Sequence, residues 1–394
     1  MKKKIAIFTY SLEGGGAERT VANLLDSLDR NKYDIHLILM NTNIMYVIPP
    51  DQKIHFIAKA NPYEQDVFKF LKMPWYAFCL ARYCRKEKIQ LIFSVMNRPN
   101  MIATMAKKWF GLKAKVIISE QFYTPYLYNR NTYGGKFKVW LLKKCYVAAD
   151  CIMPNSRGTI KALQQQFNIN TDYELIKNPT NVKEIIALKN EAIEEAIDFK
   201  KFTFINVSAF RPEKNHNLIL NAVAKLSHRD FQLVFIGKGP LLNEVKIKVK
   251  ELGLERKVFF IPFTNNPFKY LYQSSCFILS SFAEGFPNIL IESMVCELPI
   301  ISVDCKTGPR ELLAPKTDIE TKISNGKFEI AEYGLLCEVD SISSLVSAME
   351  WAMDNSEKLK IFSLKALPQT SEFDLEKVAN DLSLIFDKYL VKRE

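Results

Sequence analysis

Residues 274–294 read SSCFILS and then SFAEGFPNILIESM, and this passage carries most of what the chain says about its fold. The first part is a short apolar run of the kind that forms a buried strand. A Gly-Phe-Pro turn interrupts it, and Pro287 is placed to start a helix. Strand, loop and helix in that order make one unit of a parallel α/β sheet. Two carboxylates belong to this unit: Glu284 in the loop after the strand, and Glu292 eight positions later on the helix. Eight residues only slightly exceed two helical turns, so the spacing predicts that both face one pocket. Carboxylates so paired serve acid/base hydrolysis, metal binding or the gripping of hydroxyl groups, and the spacing alone leaves all three open.

The same rhythm extends in both directions. KIAIFTY, DIHLILM, LIFSVM, KVIISE and DCIMPNS read as strands in the first half. FTFINVS, FQLVFIG, KVFFIPF, CFILSS and PIISVD follow after a break. Most are continuous apolar runs, which suits central parallel strands covered on both faces. Amphipathic stretches separate them, among them 17–28 and 240–252. Two such series predict two Rossmann-like domains, divided in the Asn-Pro turn of IKNPTNVKE at 176–184. A last helix is expected over about 373–391, with Leu375, Val378, Leu382, Ile385 and Phe386 on its apolar face. In parallel sheets ligands bind beyond the carboxyl ends of the strands, so the expected site is a central cleft that both sheets face.

A length of 394 residues is itself long for one core. No apolar run approaches the roughly 18 residues of a spanning helix. The basic start MKKKIAIFTYSLEGGG has too short an apolar part for a secretory signal. Eight cysteines without a Cys-x-x-Cys pair read as buried thiols in a reducing cytoplasm. Charge is uneven: residues 1–180 hold 27 Lys+Arg against 13 Asp+Glu, a balance of +14, and the remainder holds 27 against 30, a balance of −3. The first half therefore suits an anionic partner, or is simply a solvated lysine-rich surface. No nucleic-acid-binding module accompanies the excess, so nucleic acid is not an expected partner.

Three loops carry candidate chemistry. SLEGGGAERTVANLL follows the first strand, and Gly14, Gly15 and Gly16 permit close approach of a phosphate or sugar at a helix start. The pattern is neither the dinucleotide fingerprint nor a P-loop. Glu18 and Arg19, in the first helical turn, are expected at the surface. NVSAFRPEKNHNLIL opens the second domain, and its Arg211 and Lys214 form a diphosphate clamp if they face a ligand. GKGP at 237–240 reads as a strand exit. No Asp-x-Asp triplet, zinc-spaced cluster or Gly-x-Ser-x-Gly elbow occurs, and neither a metal nor a cofactor is expected.

Taken together, GGAER, RPEKN, EGFPNILIE and DCKTGPREL resemble the family-4 retaining glycosyltransferases of GT-B fold. Within that family they look closest to bacterial enzymes that extend lipid-linked oligosaccharides with N-acetylhexosamines. The resemblance implies an acceptor-binding domain over 1–180, a donor-binding domain over 181–372, and a C-terminal helix, 373–394, crossing back onto the first. It implies that Glu292 accepts from the nucleotide ribose and Glu284 binds donor-sugar hydroxyls, with the backbone of Gly285, Phe286 and Pro287 nearby. Lys214 then holds the diphosphate, and Gly15 and Gly16 lie against the phosphate–sugar junction. Two positions depart from the family pattern. Ala209 stands where an arginine is usual, leaving Arg211 as its substitute, and Gln121 stands where many members carry a histidine and is offered as a sugar contact.

The expected activity is transfer of a hexosyl group, N-acetylhexosamine or hexose, from a UDP-linked donor. The acceptor is a hydroxyl of a glycan or polyprenyl-diphosphate-linked acceptor, and the configuration is retained. A nucleotide-sugar epimerase and a catalytically silent binding subunit are the alternatives. Basic–aromatic segments at 69–88, 107–115 and 136–146 suggest peripheral docking on an anionic membrane from the cytoplasmic side. In the first of these, Tyr76, Leu80, Tyr83 and Cys84 are placed near one face. In the last, the competing expectation is that Trp140, Leu141 and Leu142 are core.

Overall fold

The computed structural model describes residues 2–57, 66–127, 133–195 and 197–391. The chain forms two compact units, one from Met1–Thr180 with Asp374–Glu394 and one from Asn181–Phe373. The first boundary therefore falls inside the 176–184 turn.

Unit 1 holds β1 (Lys3–Thr9), β2 (Tyr33–Leu39), β3 (Lys53–Phe56), β4 (Leu91–Val95), β5 (Lys115–Glu120) and β6 (Cys151–Pro154). They form one sheet in the order β3-β2-β1-β4-β5-β6, all parallel. The continuous apolar runs serve both faces. In β1, Ile5 and Ile7 enter one core while Ala6 and Phe8 enter the other. Such alternate delivery is the direct consequence of the two-residue strand period. β3 was not expected: it is a short edge strand with mostly exposed side chains, so its pattern carries little apolar signal.

The helix Leu375–Leu390 belongs to this unit, and Val378, Leu382 and Phe386 share a core with Ile5 and Ile7. Phe386 packs edge-on to Tyr33 at 6.2 Å between ring centres. Asp387 completes the anchor, pairing with Lys3 at 3.0 Å and Lys32 at 2.5 Å. The expected span 373–394 thus shortens at both ends, and residues 392–394 lie outside the described residues.

Unit 2 holds β7 (Thr203–Val207), β8 (Gln232–Ile236), β9 (Val258–Ile261), β10 (Cys276–Leu279), β11 (Ile300–Val303), β12 (Phe328–Ile330) and β13 (Leu335–Cys337). The order is β12-β13-β11-β10-β7-β8-β9, parallel except for β12 against β13. All ten sequence-predicted strands are present across the two units. β12 and β13 add a hairpin of three-residue strands, too short for a periodic signal. Within unit 2, β7, β10 and β11 are neighbours, so the loops leaving their carboxyl ends emerge side by side.

Candidate active site

Those three loops carry most of the residues singled out from the sequence. After β7 the chain turns through a short 3-10 helix, Pro212–Lys214, ahead of the helix His216–Lys225. After β10 it runs through 280–287 into the helix Asn288–Val295. After β11 it reaches Thr307 and Gly308 before the helix Pro309–Leu313.

Hydrogen bonds to backbone carbonyls lock the first two loops together. Phe282 N–H donates to the Glu213 carbonyl at 2.8 Å, and Ser280 Oγ donates to the Lys214 carbonyl at 2.6 Å. As a result Lys214 Nζ meets Glu284 Oε1 at 2.5 Å. The pair is largely withdrawn from water, with side-chain exposures of 22% for Lys214 and 8% for Glu284. A charge-assisted bond there is short and strong because few waters compete for either partner. The third loop braces the second: Thr307 Oγ1 donates to the Glu284 carbonyl. Gly308 has φ +91°, and a Cβ there would collide with the Pro287 ring. Arg310 is 3% exposed and is clamped by Asp304 at 2.6 Å and Glu329 at 2.8 Å, which fixes the loop carrying Thr307 and Gly308. DCKTGPREL is thus the scaffold on which the EGFP turn rests.

Glu292 is buried on the helix Asn288–Val295. The predicted spacing needs correcting. Only residues from Asn288 onward are helical, so Glu292 is the fifth residue of the helix and Glu284 to Pro287 are loop, and two full helical turns do not join the carboxylates. Gly285 and Pro287 are buried, and Phe286 packs on Phe373 at 5.6 Å. Arg211 caps the 3-10 turn and is exposed, and its guanidinium has no hydrogen-bond or ion-pair partner among the described residues. His216 stacks on Phe210 at 4.4 Å and bonds Ser208 at 3.0 Å. Burial, aided by the nearby Lys214 charge, draws its imidazole down to about 4, so it is neutral at physiological pH. The GKGP stretch is a strand exit pressed onto the same loop: a Cβ on Gly239 would come within 2.5 Å of the Phe210 carbonyl oxygen.

In unit 1, Gly15 caps the helix Gly16–Ser27. Glu18 is buried rather than at the surface, because its carboxylate turns back into the loop. It accepts from Ser11 Oγ at 2.5 Å, Gly15 N–H at 2.7 Å and Gly14 N–H at 3.1 Å. An internal anion therefore takes the donors that a phosphate would use, and Gly15 offers a ligand close approach rather than its N–H. The Gly-x-x-Glu spacing of a helix cap was the signal that could have revealed this. Gln121 follows β5, donating to Ser119 Oγ at 2.6 Å and accepting from Asn155 Nδ2 at 3.1 Å. Among the described residues no three His, Cys, Asp or Glu side chains are grouped to hold a metal ion.

Two family profiles match along the chain: Glycosyltransferase Family 4 over residues 14–184 and Glycosyl transferases group 1 over 189–366. A Campylobacter jejuni relative is 37% identical over 380 residues, covering 96% of this chain and 98% of its own. The chain is a family-4 glycosyltransferase. That relative is the N-acetylgalactosamine-N,N'-diacetylbacillosaminyl-diphospho-undecaprenol 4-alpha-N-acetylgalactosaminyltransferase. A second C. jejuni enzyme, an alpha-1,4-N-acetyl-D-galactosaminyltransferase acting on an undecaprenol-diphosphate-linked glycan, is 24% identical with 96% coverage of both chains. Among solved structures, sucrose-phosphate synthase of Thermosynechococcus elongatus aligns with a TM-score of 0.80 at 16% identity, covering 98% of this chain and 99% of that one. Anabaena HepE, crystallised with UDP, aligns at 0.73 and 14%, covering 98% and 100%. These likenesses show the GT-B fold of the glycosyltransferase, each half of it a Rossmann-like unit.

Proposed function

We propose that this glycosyltransferase moves N-acetylgalactosamine from its UDP-linked form to a sugar hydroxyl on an undecaprenyl-diphosphate-linked oligosaccharide, with retention of configuration. The observation that carries the reading is the 37% identity to an enzyme of that specificity along essentially the whole of both chains.

In this reading the donor diphosphate lies against Lys214, with Arg211 as a second cation. Lys214 is already poised by Glu284 at 2.5 Å, so diphosphate binding redistributes an existing ion pair rather than burying a bare charge. Glu292 accepts from the ribose hydroxyls, and Glu284 from a hydroxyl of the transferred sugar. The Gly285–Pro287 backbone lines that sugar, Gly15 and Gly16 approach the phosphate–sugar junction, and Gln121 contacts the sugar as a neutral donor and acceptor. During transfer the bond from the anomeric carbon to the diphosphate oxygen breaks and a bond to the acceptor oxygen forms on the same face. The acceptor proton passes to the departing phosphate. The protein contributes positioning and charge stabilisation. Lys214 and Arg211 supply the positive charge, so the reading includes no metal.

A lipid-linked acceptor calls for work at a membrane, and unit 1 exposes aromatic clusters suited to it. Trp75 is 63% exposed, Trp109 50%, Phe137 54% and Trp140 53%. Trp75, Phe78 and Phe110 adjoin one another, with 5.7 Å between the ring centres of each successive pair. Phe137 stacks on Trp140 at 5.8 Å, with Lys136 and Lys144 exposed on the same helix. Exposed Trp beside Lys favours an anionic headgroup layer.

The direct test incubates purified protein with UDP-N-acetylgalactosamine and the undecaprenyl-diphosphate-linked acceptor named for the C. jejuni relative, with EDTA present. One added N-acetylhexosamine, α-linked by NMR, is expected. Transfer from UDP-galactose or UDP-glucose in preference to UDP-N-acetylgalactosamine would overturn the donor assignment. Loss of turnover in EDTA, restored by a divalent cation, would overturn the metal-free mechanism.

A further inference from the structure

Glu120 is the last residue of β5, immediately before Gln121, and is fully buried. Tyr146 OH donates to its Oε2 at 2.6 Å. Among the described residues Oε1 makes no close hydrogen bond of its own, and the buried Thr124 hydroxyl, at the start of the helix Thr124–Leu127, and the Phe122 amide are the donors that face the carboxyl. Among the described residues no cation answers this carboxyl. From the helix Tyr133–Tyr146 it meets Tyr146, from the next short helix Thr124, and from the intervening loop the Phe122 amide. On the flanking segments, β4 carries Ser94 opposite Ile118, and after β6 the Asn155 N–H donates to the Glu120 carbonyl at 3.4 Å; neither side chain ionises. Lys107 and Lys115 are paired with Asp150, whose backbone joins the opposite end of β5 through the Val116 carbonyl.

A buried carboxyl without a countercharge is far cheaper neutral than ionised. We infer that Glu120 is a positioning residue that works in its protonated form, tying the Gln121 loop to the helix Tyr133–Tyr146. Neutral, it joins β5, Thr124 and Tyr146 and so holds the three-residue loop between them in one arrangement. Ser119, on its other side, and Asn155 hold the Gln121 amide itself at 2.6 and 3.1 Å. Ionised, it draws water or a donor into the same space and loosens that loop. Burial pushes this carboxyl up to about 7, against the opposing pull of the Tyr146 bond. The catalytic consequence rests on the reading of Gln121 as a sugar contact.

The sign follows from the raised value. An unfolded glutamate titrates at about 4.3, so the advantage of the neutral buried form is complete below that pH. It is lost as pH rises through about 7. The experiment compares wild type, Glu120→Gln, Glu120→Ala and Tyr146→Phe from pH 5.5 to 8.5, using UDP-N-acetylgalactosamine and the same lipid-linked acceptor. Wild-type kcat should fall on the alkaline side with a midpoint near that of Glu120. Glu120→Gln should abolish this fall while keeping kcat within about two-fold at pH 6, and Glu120→Ala should lose about ten-fold in kcat with little change in UDP affinity. Tyr146→Phe removes a bond that favours ionisation, so the fall should move to higher pH. A Glu120→Gln enzyme as impaired as Glu120→Ala, or one that keeps the wild-type fall, would overturn the inference. Should wild type transfer nothing to that acceptor, the proposed reaction fails instead. The inference is then decided by the side-chain amide NMR signal of Gln121, assigned by its loss in Gln121→Met. A signal that titrates near 7 in wild type and is flat in Glu120→Gln supports it, and one indifferent to pH in both overturns it.

Discussion

The contact between Lys214 and Glu284 at 2.5 Å turns two separate sequence candidates into one coupled unit. Lys214→Ala strands a buried carboxylate and should cost about 1–3 kcal/mol of stability as well as most of the turnover. Combining it with Glu284→Gln should recover part of the stability but none of the turnover, a non-additivity read by thermal melts and kinetics. Additive melting losses would show that the pair is not coupled. Glu292→Gln should weaken UDP binding by about 1.5–3 kcal/mol, measured calorimetrically, if Glu292 has the proposed role of charged acceptor for the ribose. UDP binding as tight as wild type would sink the ribose assignment. Glu284 and Lys214 were legible as candidates because charged residues in loops leaving strand ends are costly unless used or paired, and Glu292 by its setting in EGFPNILIE. Glu18 and Glu120 were not: each has the composition of a surface residue, and only its surroundings show it to be buried.

At the scale of elements, the EGFP turn depends on a neighbour nearly two dozen residues away. Gly308→Ala meets both a φ of +91° and a collision with the Pro287 ring. The substitution should shift the turn, lower kcat by about ten-fold or more, and leave the unit folded with a loss of about 1–3 kcal/mol. Wild-type kinetics in this variant would show that the turn does not depend on that contact. The elements themselves were mostly predictable. Ten strands announced themselves as continuous apolar runs, since a strand covered on both faces has no polar side to show. The edge strand β3 and the β12–β13 hairpin lack that constraint and left no comparable mark.

For the whole molecule, surface placement governs the proposed encounter with a lipid-linked substrate. In the helix Met73–Glu87, Tyr76, Leu80 and Cys84 face the core, while Trp75 and Phe78 are exposed. In the helix Tyr133–Tyr146, Leu141 and Leu142 are core, and Trp140 is not. The aromatic residues of the proposed membrane face are therefore other ones than helix periodicity first suggested. Neutralising Lys136, Lys138, Lys143 and Lys144 together, or replacing Trp75 and Trp140 by Ala, should each reduce co-sedimentation with anionic vesicles at low salt by several-fold. Wild-type binding that ignores both sets, or no binding at all, would remove this surface from the mechanism. No helix of the described residues is long and apolar enough to cross a membrane.

The sequence by itself determined two parallel α/β units, the turn at 176–184 dividing them, and the strand-end residues bearing charge. Those properties are written locally, in apolar runs, turn residues and motif spacing. Tertiary structure alone decided that Lys214 pairs with Glu284, that Gly308 seats Pro287, that Glu18 fills the glycine loop, and which aromatics stay in water. Each of those depends on what lies across a loop or behind a strand, and burial changes the energy of a charge or ring without changing the letter that encodes it.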